Sequence, residues 1–335
     1  MKLASAALLL WAGMAFCEDA SGAGAIVGVW NFNAAKDGVV ENSRPGGGGV
    51  KAVLKDFDAK VLAGTDVDMA DFSVARGGTE TTVKVAKSGW ATFANVPDNG
   101  LMAGVNTPVG KQALAIFSNN PGNWVHFPGL ATEMVGKPGG SVRTFGIGVW
   151  YLLQTTGREP QFANAGVNCL WRFCQTDARI QTFNAIDRFY TEDVGNGLGG
   201  GYGYKIPAPR TEAAAARWVH VVISADGTAD KFQMWVNGEK VQYRNGTEDA
   251  VAWPKGGGMQ LNFAPGELTD GAVIGRWLGG AGASGKTMGL AAVVVMKGET
   301  IDQKRAKYLY ELGRRGIPFD GNWLSQKIEA SQAEH

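Results

Sequence analysis

The sequence predicts an all-β protein, two antiparallel sheets packed face to face with one short C-terminal helix. Three observations predict it. Apolar residues recur at every second position in several runs, Asx-Gly pairs close two of those runs, and one late segment changes to helical spacing.

The alternation is clearest from residue 113 onward. Phe145, Ile147, Val149 and Tyr151 alternate with Gly146, Gly148, Trp150 and Leu152. Val219, Val221 and Ile223 alternate with His220, Val222 and Ser224, and Phe232, Met234 and Val236 with Gln233 and Trp235. Each run is a strand with one face on a core. Asp226-Gly227 and Asn237-Gly238 supply the positive φ angles of tight hairpin turns, so a meander is expected from about Trp218 to Tyr243. Ile26–Trp30 opens the fold, and Ala272–Leu278 and Leu290–Met296 add late strands. Residues 51–112 read as short strands and long loops. The helix starts at Thr300, where Thr-x-x-Gln forms a capping box. It carries Ala306, Leu309, Tyr310 and Gly313 as its stripe, and stops at Gly313 and Gly316 before Pro318.

Composition agrees. Hydrophobic residues are 45% and charged residues 19% of 335, enough for a sizeable core and against disorder. The 49 glycines have no three-residue period, which excludes collagen and fits many tight turns. A net charge of +1 without basic runs excludes the footprint of a nucleic-acid binder. Lys2 followed by the apolar stretch Leu3–Phe16 reads as a secretory signal over 1–17, with cleavage after Cys17 or as late as Ala23. The apolar run is shorter than the ~20 residues of a membrane span. The mature chain is expected outside the cytoplasm, secreted, periplasmic or at the cell surface. Cys169 and Cys174 can then pair only if the chain turns between them, because five residues of straight strand would part them by about 17 Å.

Trp218-Val219-His220-Val221, the Asp226-Gly227 turn, and Phe232–Val236 running into Asn237-Gly238 resemble the central hairpin of laminin-G-like, concanavalin A-like domains. Ile26–Phe32 resembles the opening strand of that family. Ala115–Phe117, Val125–Phe127 and Phe145–Tyr151 resemble its middle strands, and Ile274-Gly275-Arg276, Leu290–Met296 and Thr300–Leu312 its closing strand and helix. The resemblance implies a jelly-roll sandwich over 26–317 with an insertion near 50–110, leaving 318–335 as a polar tail. It also implies a recognition domain for carbohydrate or a surface protein, frequently with calcium. Glu41 and Asn42 are oxygen donors suited to calcium, whereas Ala291-Ala292 stands where the family often has an acidic residue.

Several residues carry candidate chemistry. Gly280–Thr287 satisfies the phosphate-loop pattern, but a strand-like segment follows it and a nucleotide site needs a helix there, so no nucleotide is expected. Glycoside hydrolysis needs paired carboxyls about 5–10 Å apart; Asp66, Asp68 and Asp71 come closest, in a loop-like stretch. A lyase needs a His or Tyr base with Arg and Gln. His220 is the weak candidate, on the opposite strand face from Val219 and Val221, with a packing role as the alternative. His126 is similar. Trp171, Tyr202, Tyr204, Trp253, Arg276 and Trp277 stand beside loop-like segments and are the candidates for ligand contact. A binding module is the first expectation, a polysaccharide lyase or glycoside hydrolase on the same scaffold the second, and a structural cell-surface or matrix protein the third.

Overall fold

The computed structural model describes residues 26–33, 35–55, 69–76, 79–86, 90–91, 113–117, 124–153, 168–173, 177–183, 188–192, 202–205, 217–227, 231–240, 261–263, 271–275 and 287–319. In chain order the strands are β1 (Ile26–Asn31), β2 (Val39–Val40), β3 (Ala52–Lys55), β4 (Met69–Arg76), β5 (Thr79–Ala86), β6 (Trp90–Ala91) and β7 (Ala113–Phe117). Then come β8 (Trp124–Phe127), β9 (Ser141–Val142), β10 (Phe145–Leu153), β11 (Asn168–Phe173), β12 (Asp177–Phe183), β13 (Arg188–Glu192) and β14 (Tyr202–Lys205). The last are β15 (Arg217–Asp226), β16 (Lys231–Val236), β17 (Glu239–Lys240), β18 (Leu261–Asn262), β19 (Ala272–Ile274) and β20 (Thr287–Lys297). Two helices are described, α1 (Leu130–Val135) and α2 (Gln303–Arg314).

The strands form two large antiparallel sheets. The first runs β17-β16-β15-β10-β20-β7-β6, with β1 also paired to β20. The second runs β14-β13-β12-β11-β19-β8-β3-β2. Non-consecutive neighbours such as β15-β10-β20 and β11-β19-β8 mean that the chain crosses repeatedly between the sheets, as in a jelly roll. The segment 69–86 is a hairpin of its own, β4 with β5. Asp71 therefore lies in a strand, opposite Lys84, and not in the loop expected for it.

One core lies between the two sheets. Ile147, Val149 and Tyr151 of β10, Val221 and Ile223 of β15, and Val293 and Val295 of β20 meet Leu54, Val125, Phe127, Trp171, Phe173 and Ile274 of the second sheet. Those of β10 and β15 are the predicted alternate positions, and burying each large side chain is worth roughly 1.5–3 kcal/mol. Phe127 is the aromatic hub, edge-on to Trp30 at 4.8 Å and 5.4 Å from Trp171. The Trp30 indole N–H donates to the Val50 carbonyl at 3.0 Å, so the ring is buried without an unsatisfied donor.

A second apolar layer covers the outer face of the first sheet. Trp150, Val222, Trp235 and Val294 alternate with the core-facing residues and are also buried. Ile301, Ala306 and Leu309, at and within α2, are their buried neighbours in the C-terminal segment. Ile301 lies so close to Gly146 that a Cβ there would meet its Cγ1 at 2.5 Å. Alternating glycines in β10 thus give room to the segment that leads into the helix.

Details of α2 differ from expectation. The N-cap is Asp302, whose side chain accepts from the Arg305 N–H at 2.9 Å, and not Thr300. Gly313 lies inside the helix. The stop is Gly316, at φ 73°, where Gly316 N–H donates to Gly313 and Ile317 N–H to Leu312, a Schellman closure. The hairpin from β16 to β17 turns at Asn237 and Gly238 with φ 53° and 78°, as the Asx-Gly signal predicts. Asp226-Gly227 does not make such a turn: Asp226 pairs with Lys231 across a longer loop. Gly227 is instead a site of close approach, where a Cβ would lie 2.2 Å from that of Arg143. Helix α1 was not expected, since six residues between Gly129 and Gly136 are too short to show a period.

Candidate functional site

The candidate base His220 is the most fully determined of the sequence-selected residues. It lies on β15 opposite Trp150 of β10. Its imidazole stacks on the Trp150 indole at 5.2 Å and 25°, and the Phe319 ring meets it edge-on at 6.4 Å. Tyr310 of α2 also stacks on Trp150, at 5.7 Å and 14°. Asn237 fixes the strand around it: its Oδ1 accepts from the His220 N–H at 3.0 Å, and its N–H donates to the His220 carbonyl at 2.8 Å.

This surrounding decides the chemistry of His220. The residue is 1% exposed, and neither ring nitrogen has a hydrogen-bond partner among the described residues. Burial alone pulls its pKa from the ordinary 6.5 down to about 3. An imidazole buried in this way beside Trp150 and Phe319 is out of reach of a substrate proton in this arrangement. The packing alternative is the one the geometry fits. Burial also raises the Tyr310 phenol, with Arg314 opposing and Glu311 adding to the shift.

The early turn is held by the Asn42 amide. Asn42 Oδ1 accepts from Val29 N–H at 3.0 Å and Arg44 N–H at 3.1 Å, and its Nδ2 donates to the Val27 carbonyl at 3.1 Å. Both lone pairs expected for calcium are engaged by backbone donors. Glu41 pairs with Lys51 at 2.8 Å on the exposed side. Among the described residues no group of three or more His, Cys, Asp and Glu is placed to hold a metal. Arg44, not selected from the sequence, pairs with Glu133 of α1 and donates to Val27 O at 3.2 Å, tying the turn to that helix. Only the spatial fold brings residues 44 and 133 together, so no local signal marks the pair.

The aromatic candidates divide. Trp171, expected beside a loop, is fully buried in the inter-sheet core against Phe127, which removes it from ligand contact. Tyr202 and Tyr204 occupy the edge strand β14, opposite Thr191 and Phe189 of β13. Through Thr191 of β13 and Ile180 of β12 the Tyr202 position is in register with Trp171. Cys169 is in β11, opposite Gln181. Trp253, Arg276, Trp277, Cys174, the signal segment and Gly280–Lys286 lie outside the described residues. Thr287 opens β20, so a strand and not a helix follows the phosphate-loop pattern. His126 sits on β8 beside Trp124, with ring centroids 5.6 Å apart. Phe319 is docked, exchanging hydrogen bonds with the Asn31 amide at 3.0 and 2.7 Å, so the chain is still anchored at the second residue of the expected tail. Among the described residues no helix is long and apolar enough to cross a membrane.

No protein-family model matches the chain, and no curated protein matches it. Distant likenesses exist among solved structures. The receptor-binding domain of botulinum neurotoxin mosaic serotype C/D, with tetraethylene glycol on its Hcn sub-domain, is 7% identical at a TM-score of 0.46, over 87% of this chain and 51% of that one. The Trypanosoma rangeli sialidase in complex with a difluorinated KDN is 12% identical at 0.44, over 88% and 34%. The binding domain of botulinum neurotoxin DC in complex with rat synaptotagmin II is 10% identical at 0.42, over 72% and 51%. The chain spans about half the length of these toxin domains and a third of the sialidase. Likeness at this distance assigns no activity.

Proposed function

We propose that the chain is a recognition module of the laminin-G-like, concanavalin A-like kind, acting outside the cytoplasm and binding glycan without turning it over. One observation supports this reading above the enzymatic one. His220, the candidate base, is spent on packing between Trp150 and Phe319 and is held neutral by burial. A sandwich whose interior is filled by side chains offers its sheet faces and loops to a ligand.

The test is a polysaccharide panel read two ways, by affinity electrophoresis and by release of reducing ends or unsaturated products. Retention of the purified protein without product release supports the reading. Product release from any member of the panel overturns it, as does failure to be retained by every glycan.

A further inference from the structure

The outer face of α2 carries charge that its packing on the sheet does not call for. Ala306, Leu309 and Gly313 are buried toward the first sheet, whereas Lys304, Lys307, Arg314 and Arg315 are exposed. At 3.6 residues per turn those four cations fall within about 100° of arc, along roughly 16 Å of axis. Lys240 extends the stripe. It is exposed on the edge strand β17, opposite Trp235 and so on the sheet face that α2 covers. Gly238 beside it lies so close to the helix that a Cβ there would be 2.9 Å from the Lys307 Cα.

The acids of this segment are already engaged. Glu299 pairs with Arg305 at 3.1 Å, Glu311 pairs with Arg314 at 3.0 Å, and Asp302 caps the helix. Glu239 is on the opposite strand face, in register with the core residue Val236. Among the described residues Lys240, Lys304, Lys307 and Arg315 have no ion pair. The macrodipole favours Arg315 at the C-terminal end, but Lys304 stands in the first turn, where the dipole favours acids and none is present. Just past the helix, Ile317 is 42% exposed, the one exposed large hydrophobic among the described residues.

Unpaired cations in a line, ending at an exposed apolar side chain, suit a plane of anionic headgroups over an apolar interior. Tyr308 and Tyr310 are half-buried, so no fully exposed ring of this helix is offered to a sugar. We propose that the outer face of α2 seats the protein on a membrane surface of anionic phospholipid. Lys240, Lys304, Lys307 and Arg315 meet the headgroup phosphates, and Ile317 meets the edge of the acyl region. The apolar stripe of α2 stays on the sheet, so the contact is peripheral and reversible. This surface is separate from any glycan site, and the inference does not rest on the glycan reading.

The experiment sediments the purified full chain with vesicles of phosphatidylcholine alone and of phosphatidylcholine with phosphatidylglycerol in a two-to-one ratio. Expected are at least tenfold stronger binding to the anionic vesicles and release as salt is raised. Lys304→Gln and Lys307→Gln should each weaken that binding about fivefold, and Ile317→Ser severalfold. Their melting temperatures should stay near that of wild type, because all three positions are exposed. Lys51→Gln removes an equal charge from a different part of the surface and should bind as wild type does. Should a glutamine variant fail to fold, Lys304→Arg and Lys307→Arg keep the charge and are expected to bind within twofold of wild type. Equal binding to both kinds of vesicle, a glutamine or serine variant within twofold of wild type, a larger loss in the arginine variants, or a fivefold loss in Lys51→Gln would overturn the inference. Retention by dextran sulfate or polyglutamate at a salt concentration that strips the vesicles would make the partner a soluble polyanion, and would overturn it as well.

Discussion

Gly313 of the C-terminal helix lies against the indole of Trp150, so closely that a Cβ at position 313 would fall 2.2 Å from Nε1 and 2.5 Å from Cε2. The ring cannot retreat, because His220 and Tyr310 both stack on it. Glycine is thus the residue that lets α2 settle on the first sheet. Gly313→Ala should gain helix propensity of about 1 kcal/mol, but lose more than that by pushing the helix off the sheet, a net destabilisation of roughly 1–3 kcal/mol. Urea denaturation measures it. A variant as stable as wild type, or more so, would mean the helix does not press on Trp150.

This contact also shows what can be read from a chain of this kind and what cannot. The period-2 runs mark both faces of β10 and β15, and Asn237-Gly238 marks its turn through the positive φ that Asx and Gly accept. These are local properties, written in neighbouring residues. Gly313 reads locally as a helix terminator, and only the packing partner, far away in sequence, reveals it as a contact surface. Trp171 failed as a ligand candidate for a related reason: nearness to a loop in sequence does not say which sheet face a strand residue occupies, and the bulges between Cys169 and Phe173 obscure the alternation there.

His220 makes the fold acid-sensitive. Its folded pKa is depressed to about 3 by burial, while in the unfolded chain it titrates near the ordinary 6.5. Between these values the unfolded state binds the extra proton. Stability from this group is therefore complete above pH 6.5 and is lost as pH falls from there toward about 3. From pH 7.5 to 5 the loss is about 2 kcal/mol. His220→Phe keeps a stacking ring, gives up no side-chain hydrogen bond, and should flatten that part of the stability–pH curve. An unchanged slope between pH 5 and 7 in the variant would show that the imidazole is protonated, or solvated, in the folded protein.

Asn42 separates a structural turn from a metal site. Its amide makes three hydrogen bonds to the backbone at Val27, Val29 and Arg44, and it is 8% exposed. Asn42→Ala leaves the buried Val29 N–H without an acceptor and frees the turn from β1, so roughly 2–4 kcal/mol of stability should go. The loss should be the same in millimolar calcium as in chelator, because Oδ1 already accepts from two N–H donors and has no lone pair to spare for a cation. Melting curves of both proteins in both buffers decide it. A calcium-induced rise in the wild-type melting temperature that disappears in Asn42→Ala would make the turn a cation site, and its hydrogen bonds the apo arrangement of that site.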